Sequence, residues 1–272
     1  MKFTQRLRGK LISILDIRPE LWDTFESFEE AVQNGGSYDN TKLVKVIVAK
    51  AKNYRDELKI NDDLISSIWR TPFILSQLGN NKSINILDFG GGAGTQYFLA
   101  RKLLDKNIRI KWHVVETNTM VEEAKNSKLE NNELKFFNNI ADAAKDMELI
   151  NLINANCSLT YTDKPLNYLE ELLNLDFEQF FITRTPLNEK SRKNLVGIQS
   201  SSLSTNGQGE IPKELYIDDE TIKYPFTAIS KELLEEIVSK FARVKFLIRE
   251  DSNVYQTKQG NFTMFGYLIS KT

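Results

Sequence analysis

A glycine-rich turn between an apolar strand and a helix is the segment that most constrains how this chain folds. Ile84-Asn85-Ile86-Leu87-Asp88-Phe89 predicts a buried strand, Gly90-Gly91-Gly92-Ala93-Gly94 follows directly, and helical spacing runs from Thr95 to Leu104. Because glycine has no side chain, the backbone of such a turn bends sharply and approaches a ligand closely. This strand–turn–helix unit predicts an α/β protein that binds a nucleoside cofactor at the turn.

Two common glycine-rich loops are excluded by the spacing. A dinucleotide-binding loop needs Gly-x-Gly-x-x-Gly, and neither Gly90 nor Gly92 is followed by a third glycine at the required position. A phosphate-binding P-loop ends in Gly-Lys-Ser or Gly-Lys-Thr, whereas Gly94 is followed by Thr95 and Gln96. The turn therefore serves another class of nucleoside-cofactor site.

The spacing Asp88-x-Gly90-x-Gly92-x-Gly94 resembles motif I of class I S-adenosylmethionine-dependent methyltransferases. A second apolar strand, Lys111-Trp112-His113-Val114-Val115-Glu116, ends in an acid 22 residues after Gly94. In that family this acid accepts hydrogen bonds from both ribose hydroxyls of the cofactor, and two carboxylate oxygens suit a vicinal diol. A solvated carboxylate at a strand end is the alternative interpretation of Glu116. The resemblance implies cofactor contacts from Asp88, Gly90, Gly91, Gly92, Gly94, Thr95, Glu116 and Thr117.

From residue 84 onward, strands alternate with helices, which predicts a parallel sheet covered on both faces. The resemblance implies a Rossmann-like α/β sheet of seven strands, mostly parallel, with an antiparallel C-terminal strand. Residues 1–80 predict an N-terminal helical cap that acts as a lid, and residues 81–272 form the methyltransferase domain. Residues 188–228 are loop-rich and predict a substrate-covering flap. The predicted strands are Ile84–Phe89, Ile110–Glu116, Leu134–Phe137, Leu149–Asn154, Gln179–Arg184, Val244–Arg249 and Phe262–Ser270.

Two helices are predicted within the cap. The first is capped by Asp39 or Asn40, and the second runs from Asp62 to Leu78 with Pro72 bending or dividing it. One face of the first helix carries the apolar residues Leu43, Val44, Ile47, Val48 and Ala51.

The carboxyl ends of parallel strands meet at one edge of a sheet, so residues that follow the strands are the site candidates. Asn138 and Asn139 either bind adenine or form a polar turn. Tyr161 is the candidate catalytic base, while His113 lies inside a strand and predicts a core histidine. Arg184 either holds a substrate anion or forms a structural ion pair. The remaining candidates are Asn154 and Ala155 for the cofactor, and Ser158, Tyr216 and Tyr224 for the substrate.

A closer resemblance covers most of residues 25–270. It is to a family of methyltransferases associated with bacterial surface-polysaccharide gene clusters, and it implies O-methylation of a sugar, sugar nucleotide or phosphorylated precursor. S-adenosylmethionine would be the cofactor, S-adenosylhomocysteine the product, and no metal is expected. Asn156-Cys157-Ser158 departs from the family's Ser-Gly-Ser type of sequence. A catalytically silent binding or scaffold protein with the same fold is the alternative function. Beyond the glycine turn, the segments that carry the resemblance are Val114-Val115-Glu116-Thr117, Ser158-Leu159-Thr160-Tyr161, Ile182-Thr183-Arg184-Thr185-Pro186-Leu187 and Lys223-Tyr224-Pro225 followed by Ser230.

Composition argues against several other classes of protein. Lys and Arg total 36 against 37 for Asp and Glu, and no Asn-Pro-Pro-Tyr follows the fourth strand, so a nucleic-acid methyltransferase is disfavoured. The single cysteine, Cys157, and the single histidine offer neither a disulfide nor a metal cluster. No stretch approaches the roughly 20 apolar residues that span a bilayer. These features predict a cytoplasmic enzyme whose partner is a small molecule, not a nucleic acid or a membrane.

Overall fold

The structure is a computed structural model of the 272-residue chain, and it describes residues 22–57, 70–78 and 82–271. The predicted helix from Asp62 to Leu78 is described only in its second half, because residues 62–69 lie outside these ranges. Within the described ranges, no helix is both long and apolar enough to cross a membrane.

The described elements alternate between helix and strand over most of the chain. The helices are α1 (Phe28–Gly35), α2 (Thr41–Glu57), α3 (Arg70–Gln77), α4 (Thr95–Leu103), α5 (Asn118–Asn126), α6 (Ile140–Ala144), α7 (Pro165–Leu173) and α8 (Lys231–Phe241). The strands are β1 (Thr24–Phe25), β2 (Ser83–Phe89), β3 (Arg109–Val115), β4 (Leu134–Phe137), β5 (Ile150–Asn156), β6 (Phe177–Asn188), β7 (Leu195–Ser202), β8 (Thr221–Ser230), β9 (Arg243–Arg249), β10 (Tyr255–Gln256) and β11 (Asn261–Ser270).

The sheet is mixed and has parallel strands at its centre. Every neighbouring pair along the order β4–β3–β2–β5–β6 is parallel. Asp88 of β2 lies level with Val114 of β3 on one side and with Asn154 of β5 on the other. β11 pairs antiparallel with β6 and with the edge strand β9, so the predicted antiparallel pair at the C-terminus is confirmed.

The sheet is larger than the predicted seven strands, because eleven strands are connected within the described residues. β8 runs antiparallel to β7 over most of its length. Its last two residues pair in parallel with β6, at Leu187–Ile229 and Asn188–Ser230. β7 also pairs with β1, which lies inside the predicted helical cap. Residues 188–228 are therefore not the loop-rich segment predicted, because they contain β7 and most of β8, while their predicted role as a substrate-covering flap stays a prediction. The run Gln199-Ser200-Ser201-Ser202 contains no apolar residue, so this half of β7 lacks the alternation that marks a strand.

The two faces of the sheet bury two apolar clusters. Successive side chains of a strand point to opposite faces, and Ile86 of β2 joins one cluster while Leu87 joins the other. α2 begins after Asn40, whose Oδ1 accepts hydrogen bonds from the backbone N–H groups of Lys42 and Leu43. α2 packs in the first cluster, and the prediction that residues 1–80 form a lid stays a prediction. Its predicted apolar face is buried throughout, namely Leu43, Val44, Ile47, Val48 and Ala51.

Candidate functional site

A cavity of about 690 Å³ opens at the carboxyl ends of the central parallel strands. Its walls come from two parts of the molecule, the parallel sheet and the β7–β8 pair with the segment before α2. The first part contributes Phe89, Gly90, Val115, Glu116, Thr117, Asn138, Asn139, Ile140, Asn156, Cys157, Ser158, Tyr161, Thr162, Tyr168, Glu171 and Arg184. The second part contributes Phe28, Ser37, Tyr38, Asp39, Gln199, Ser201, Thr205, Asn206, Gly207, Tyr224 and Pro225.

The glycine turn presents its first residue to the cavity. Gly90 lines the wall with φ 68°, and a Cβ at this position would lie 2.2 Å from Cβ of Ser158. A Cβ at Gly91 would lie 2.4 Å from the carboxylate oxygen Oδ2 of Asp88. The turn is therefore packed between β5 and the buried acid beneath it. Behind Gly90, the turn continues through Gly92 at φ 58° and Gly94 at φ 79°, and Thr95 begins α4.

Asp88 supports the turn from below and does not line the cavity. Its side chain is fully buried and accepts hydrogen bonds from Trp112 Nε1 at 3.0 Å and from Asn154 Nδ2 at 2.6 Å. Burial raises the pKa of Asp88 to about 6, although both hydrogen bonds act to lower it. Thr71 of α3 donates to the other end of the Asn154 amide at 3.1 Å. Asp88 and Asn154 are thus buried away from the cavity wall, as is Ala155, which is 1% exposed, and their predicted cofactor contacts stay predictions.

Glu116 lies directly after β3 with its carboxylate at the cavity wall. Oε1 accepts a hydrogen bond from the backbone N–H of Gly92, and Oε2 accepts one from the N–H of Thr117, each at 3.0 Å. Burial is the main cause that raises the pKa of Glu116 to about 6, and these hydrogen bonds oppose it. The Thr117 hydroxyl donates to Asp39 Oδ1 at 2.8 Å, which connects this acid to the segment before α2. The Glu116 carboxylate is therefore fixed by backbone hydrogen bonds and is not the solvated strand-end carboxylate of the alternative interpretation.

Asn138 and Asn139 line the cavity, but their side chains also make local hydrogen bonds. Asn139 Oδ1 accepts from the backbone N–H of Asp142 at 2.8 Å and so caps α6. Asn138 Nδ2 donates to Asn118 Oδ1 at 2.9 Å. These contacts match the alternative of a polar turn. Both residues line the cavity, and adenine binding stays a prediction.

The end of β5 contributes two polar atoms that have no hydrogen-bond partner among the described residues. They are Asn156 Oδ1 and Ser158 Oγ, both buried at the cavity wall. Cys157 between them has φ 56°, a left-handed conformation that is uncommon for a residue with a side chain. Buried polar atoms are nearly always satisfied, so this pair indicates a place for a ligand's polar group.

Three tyrosines form an aromatic wall of the cavity. The rings of Tyr38 and Tyr161 stack with their centroids 5.1 Å apart, and Tyr224 meets both rings edge-on at 5.0 and 5.4 Å. The Tyr161 hydroxyl donates to Gln199 Oε1 at 3.0 Å. Burial raises the pKa of Tyr161 well above its usual value, so the phenolate needed for a base is disfavoured. Tyr161 lines the cavity, and its role as a catalytic base stays a prediction.

Two other candidates have opposite outcomes. Arg184 lines the cavity at the level where β6 passes β11. Tyr216 is 94% exposed and is absent from the cavity wall, so its role as a substrate contact stays a prediction without support from its position. Tyr216 lies in the connection between β7 and β8. The sequence predicts this connection and the two strands as one loop-rich segment.

The single histidine lies away from the cavity wall. His113 is buried, and its Nδ1 lies 2.6 Å from the backbone oxygen of Ala143, as expected of a core histidine. Across residues 22–57, 70–78 and 82–271, no three His, Cys, Asp or Glu side chains are grouped to hold a metal ion.

Several cavity residues were not predicted from the sequence. Tyr38 and Asp39 precede α2, while Gln199 and Asn206 belong to β7 and the segment after it. These residues lie far from the glycine turn along the chain and follow no strand of the parallel sheet. The pairing of β7 with β8 brings Gln199 to the cavity, and Asn206 follows in the segment after β7.

Comparisons with known proteins find similar folds but no family. No family model matches the chain, and no curated protein matches it. A solved S-adenosylmethionine-dependent methyltransferase from Clostridium acetobutylicum ATCC 824 is similar at 16% identity and a TM-score of 0.45, covering 81% of this chain and 97% of that one.

Two further solved structures are similar over a comparable length. The 1,6-didemethyltoxoflavin-N1-methyltransferase of Burkholderia thailandensis, with S-adenosylhomocysteine bound, has 15% identity and a TM-score of 0.43, covering 83% of this chain and 88% of that one. Magnesium protoporphyrin IX methyltransferase from Synechocystis PCC 6803, with bound S-adenosylmethionine, has 10% identity and a TM-score of 0.44, covering 84% and 97%. At these identities and TM-scores, the likenesses assign no activity to this chain.

Proposed function

We propose that this chain is an S-adenosylmethionine-dependent methyltransferase. The observation that carries the proposal is the Glu116 carboxylate, fixed at the end of the second parallel strand beside a glycine turn. Its two oxygens suit the paired ribose hydroxyls of an adenosine, because a carboxylate accepts from both at once. The held geometry, with backbone N–H groups of Gly92 and Thr117 on the carboxylate, supports a role in orienting a ligand.

The unpartnered atoms at the end of β5 support the same cofactor. Asn156 Oδ1 and the Ser158 hydroxyl lie within one cavity with Glu116. An ammonium group donates three hydrogen bonds and has no acceptor, so the amino-acid end of S-adenosylmethionine would satisfy these oxygens. We therefore assign Glu116 to the ribose and the Asn156–Ser158 segment to the amino-acid end.

The residues of the chain would align the acceptor and remove its proton. When bound, the cofactor would supply a methyl group activated on a sulfonium centre. Alignment of two bound reactants is worth up to about 7–11 kcal/mol, which is the main contribution required of the cavity walls. The stacked Tyr38 and Tyr161 rings would exclude water from the acceptor. Within the described residues, Asp39 and Glu171 are the cavity carboxylates besides Glu116, and we assign them as the candidates for taking a hydroxyl proton.

We further propose that the acceptor is a hydroxyl of a sugar, sugar nucleotide or phosphorylated precursor used in bacterial surface-polysaccharide decoration. The polar side chains beyond the tyrosines support this choice, because Gln199, Ser201 and Asn206 offer amides and hydroxyls to a polyhydroxylated ligand. The resemblance of the chain's segments to polysaccharide-cluster methyltransferases supports it independently.

The test is methyl transfer by the full chain. The protein is incubated with S-adenosylmethionine and a panel of sugars, sugar nucleotides and sugar phosphates, and products are followed by mass spectrometry. We expect at least one acceptor to gain the mass of one methylene, with S-adenosylhomocysteine formed in equal amount. A protein that binds the cofactor but methylates no member of the panel would instead support the scaffold alternative.

A further inference from the structure

β6 has a bulge beside the cavity. Thr185 of β6 pairs with Phe265 and Ile182 pairs with Tyr267, so Thr183 and Arg184 together face the single residue between those partners. Arg184 has φ 55°, in the left-handed region that residues with a side chain rarely adopt. Such a conformation persists only where the surrounding structure holds it, and it occurs often at ligand-binding positions.

Glu250 holds the bulge in place. Its Oε1 accepts hydrogen bonds from the Thr183 hydroxyl at 2.6 Å and from the backbone N–H of Arg184 at 2.7 Å. Its Oε2 lies 3.2 Å from Nη2 of Arg70, and the Glu250 side chain is 6% exposed. The space for this carboxylate exists because residue 266 is glycine, where a Cβ would lie 2.5 Å from Glu250 Oε1. The almost fully buried carboxylate of Glu250 therefore fixes the backbone of Arg184.

The Arg184 side chain is available to a ligand. It lines the cavity, and no carboxylate among the described residues forms an ion pair with it, whereas Arg101 and Arg249 each have a carboxylate partner. Arg184 lines the same cavity as Tyr38 and Tyr224 of the aromatic wall. The structural ion pair considered for Arg184 is thus absent from the described part of the chain.

We propose that Arg184, positioned by Glu250 in the bulge of β6, binds an oxyanion of the methyl acceptor, a phosphate or a carboxylate. This inference rests on the proposed methyltransferase function and narrows its substrate class to anionic acceptors. Arginine is suited to this role because its planar guanidinium donates two parallel hydrogen bonds to such a group and stays charged. The cofactor's own carboxylate is the other source of an oxyanion in this cavity.

The experiment measures binding to the full chain by calorimetry with three probes. They are S-adenosylhomocysteine, 5′-methylthioadenosine, which lacks the amino-acid end, and inorganic phosphate added to protein saturated with S-adenosylhomocysteine. Arg184→Met is compared with Arg192→Met, which removes an exposed arginine paired with Glu232 and Glu236. We expect Arg184→Met to weaken phosphate binding about tenfold and Arg192→Met to leave it unchanged.

The cofactor probes distinguish the two sources of the oxyanion. We expect both to bind Arg184→Met as tightly as the unaltered protein. If the variant loses affinity for S-adenosylhomocysteine but not for 5′-methylthioadenosine, Arg184 binds the cofactor's carboxylate and the inference is overturned. Phosphate binding that is absent, or equal in both arginine variants, also overturns it. Failure of the proposed function is recognised separately, because the unaltered protein would then bind neither cofactor probe.

Two more variants test the positioning by Glu250. Glu250→Gln keeps an oxygen acceptor for the Arg184 N–H and should retain phosphate binding within about threefold, whereas Glu250→Ala should lose about tenfold. Arg184→Gly removes the guanidinium from a backbone that glycine adopts freely, so it should weaken phosphate binding about tenfold, as Arg184→Met does, without lowering the melting temperature. A lower melting temperature in Arg184→Gly would mean that the arginine is structural, and would contradict the proposal.

Discussion

Two glycines of the turn are required by neighbouring side chains. Gly90 faces Ser158 across the end of β5, and Gly91 covers the Asp88 carboxylate. Both contacts bring β2, β5 and the turn close enough to enclose one end of the cavity. The glycine pattern thus reflects tight packing around the site as much as approach of the backbone to a ligand.

This packing predicts unequal costs for two alanine substitutions. Gly90 and Gly209 both have positive φ, at 68° and 89°, but no atom lies within 4 Å of a Cβ placed at Gly209. Gly209→Ala should lower the free energy of unfolding by about 1–2 kcal/mol, because alanine disfavours the left-handed conformation. Gly90→Ala should cost at least about 1 kcal/mol more because of the overlap with Ser158. Urea unfolding of both variants measures the difference, and equal losses would contradict this account of the turn.

Glu116 predicts a pH dependence of cofactor binding. Its pKa is raised to about 6 by burial, while ribose hydroxyls donate hydrogen bonds that favour the ionised carboxylate. Affinity for S-adenosylhomocysteine should therefore increase as the pH rises through about 6 and level off above about pH 7. Calorimetry across this range should show that Glu116→Gln binds more weakly and lacks the step. A step of equal size in Glu116→Gln would assign it to another group.

At the scale of elements, the segment after β7 is fixed to α2 by a buried lysine. Lys50 is 1% exposed, and its Nζ donates to the backbone oxygens of Ser204 and Asn206, each at 2.8 Å. Asn206 lines the cavity and donates from Nδ2 to Ser201 Oγ, which in turn lies 3.0 Å from the Tyr224 hydroxyl. A helix of the main core thus supports the aromatic wall.

This contact predicts a difference between two lysines of α2. Lys50→Met should lower the free energy of unfolding by about 1–3 kcal/mol, because charge-assisted hydrogen bonds are lost to buried carbonyl groups. Lys45→Met, at an exposed position of the same helix, should change it by less than about 0.5 kcal/mol. Thermal and urea unfolding provide the comparison. Similar stabilities of the two variants would show that Lys50 does not hold this segment.

The elements differ in how well the sequence predicts them. The parallel strands were predictable because their apolar runs alternate with helices, and strand Leu134–Phe137 has the predicted bounds. Ser230 caps α8, because its hydroxyl accepts from the backbone N–H of Leu233 at 3.4 Å, and serine is a residue type that is common at this position. β7 was not predictable, because its serine-rich half gains strand structure only through pairing with β8.

At the scale of the whole molecule, the cavity combines a predictable half with an unpredictable one. Glu116, Asn138 and Ser158 follow parallel strands, and the topology of such a sheet brings strand ends together. Tyr38 reaches the same cavity from the segment just before α2, and Gln199 reaches it from the β7–β8 pair. Neither segment has a local sequence signal. The inward turn of Asp88 was also hidden, because it depends on the tertiary partners Trp112 and Asn154.

The central claim is that Glu116 and the glycine turn bind the adenosine of S-adenosylmethionine. Calorimetry of S-adenosylmethionine binding to the unaltered chain, Glu116→Ala and Glu122→Ala tests it most directly, since Glu122 is an exposed acid on the helix that follows Glu116. We predict micromolar binding to the unaltered chain and to Glu122→Ala, and a loss of at least about tenfold in Glu116→Ala. No binding to the unaltered chain, or equal binding by all three proteins, would contradict the claim.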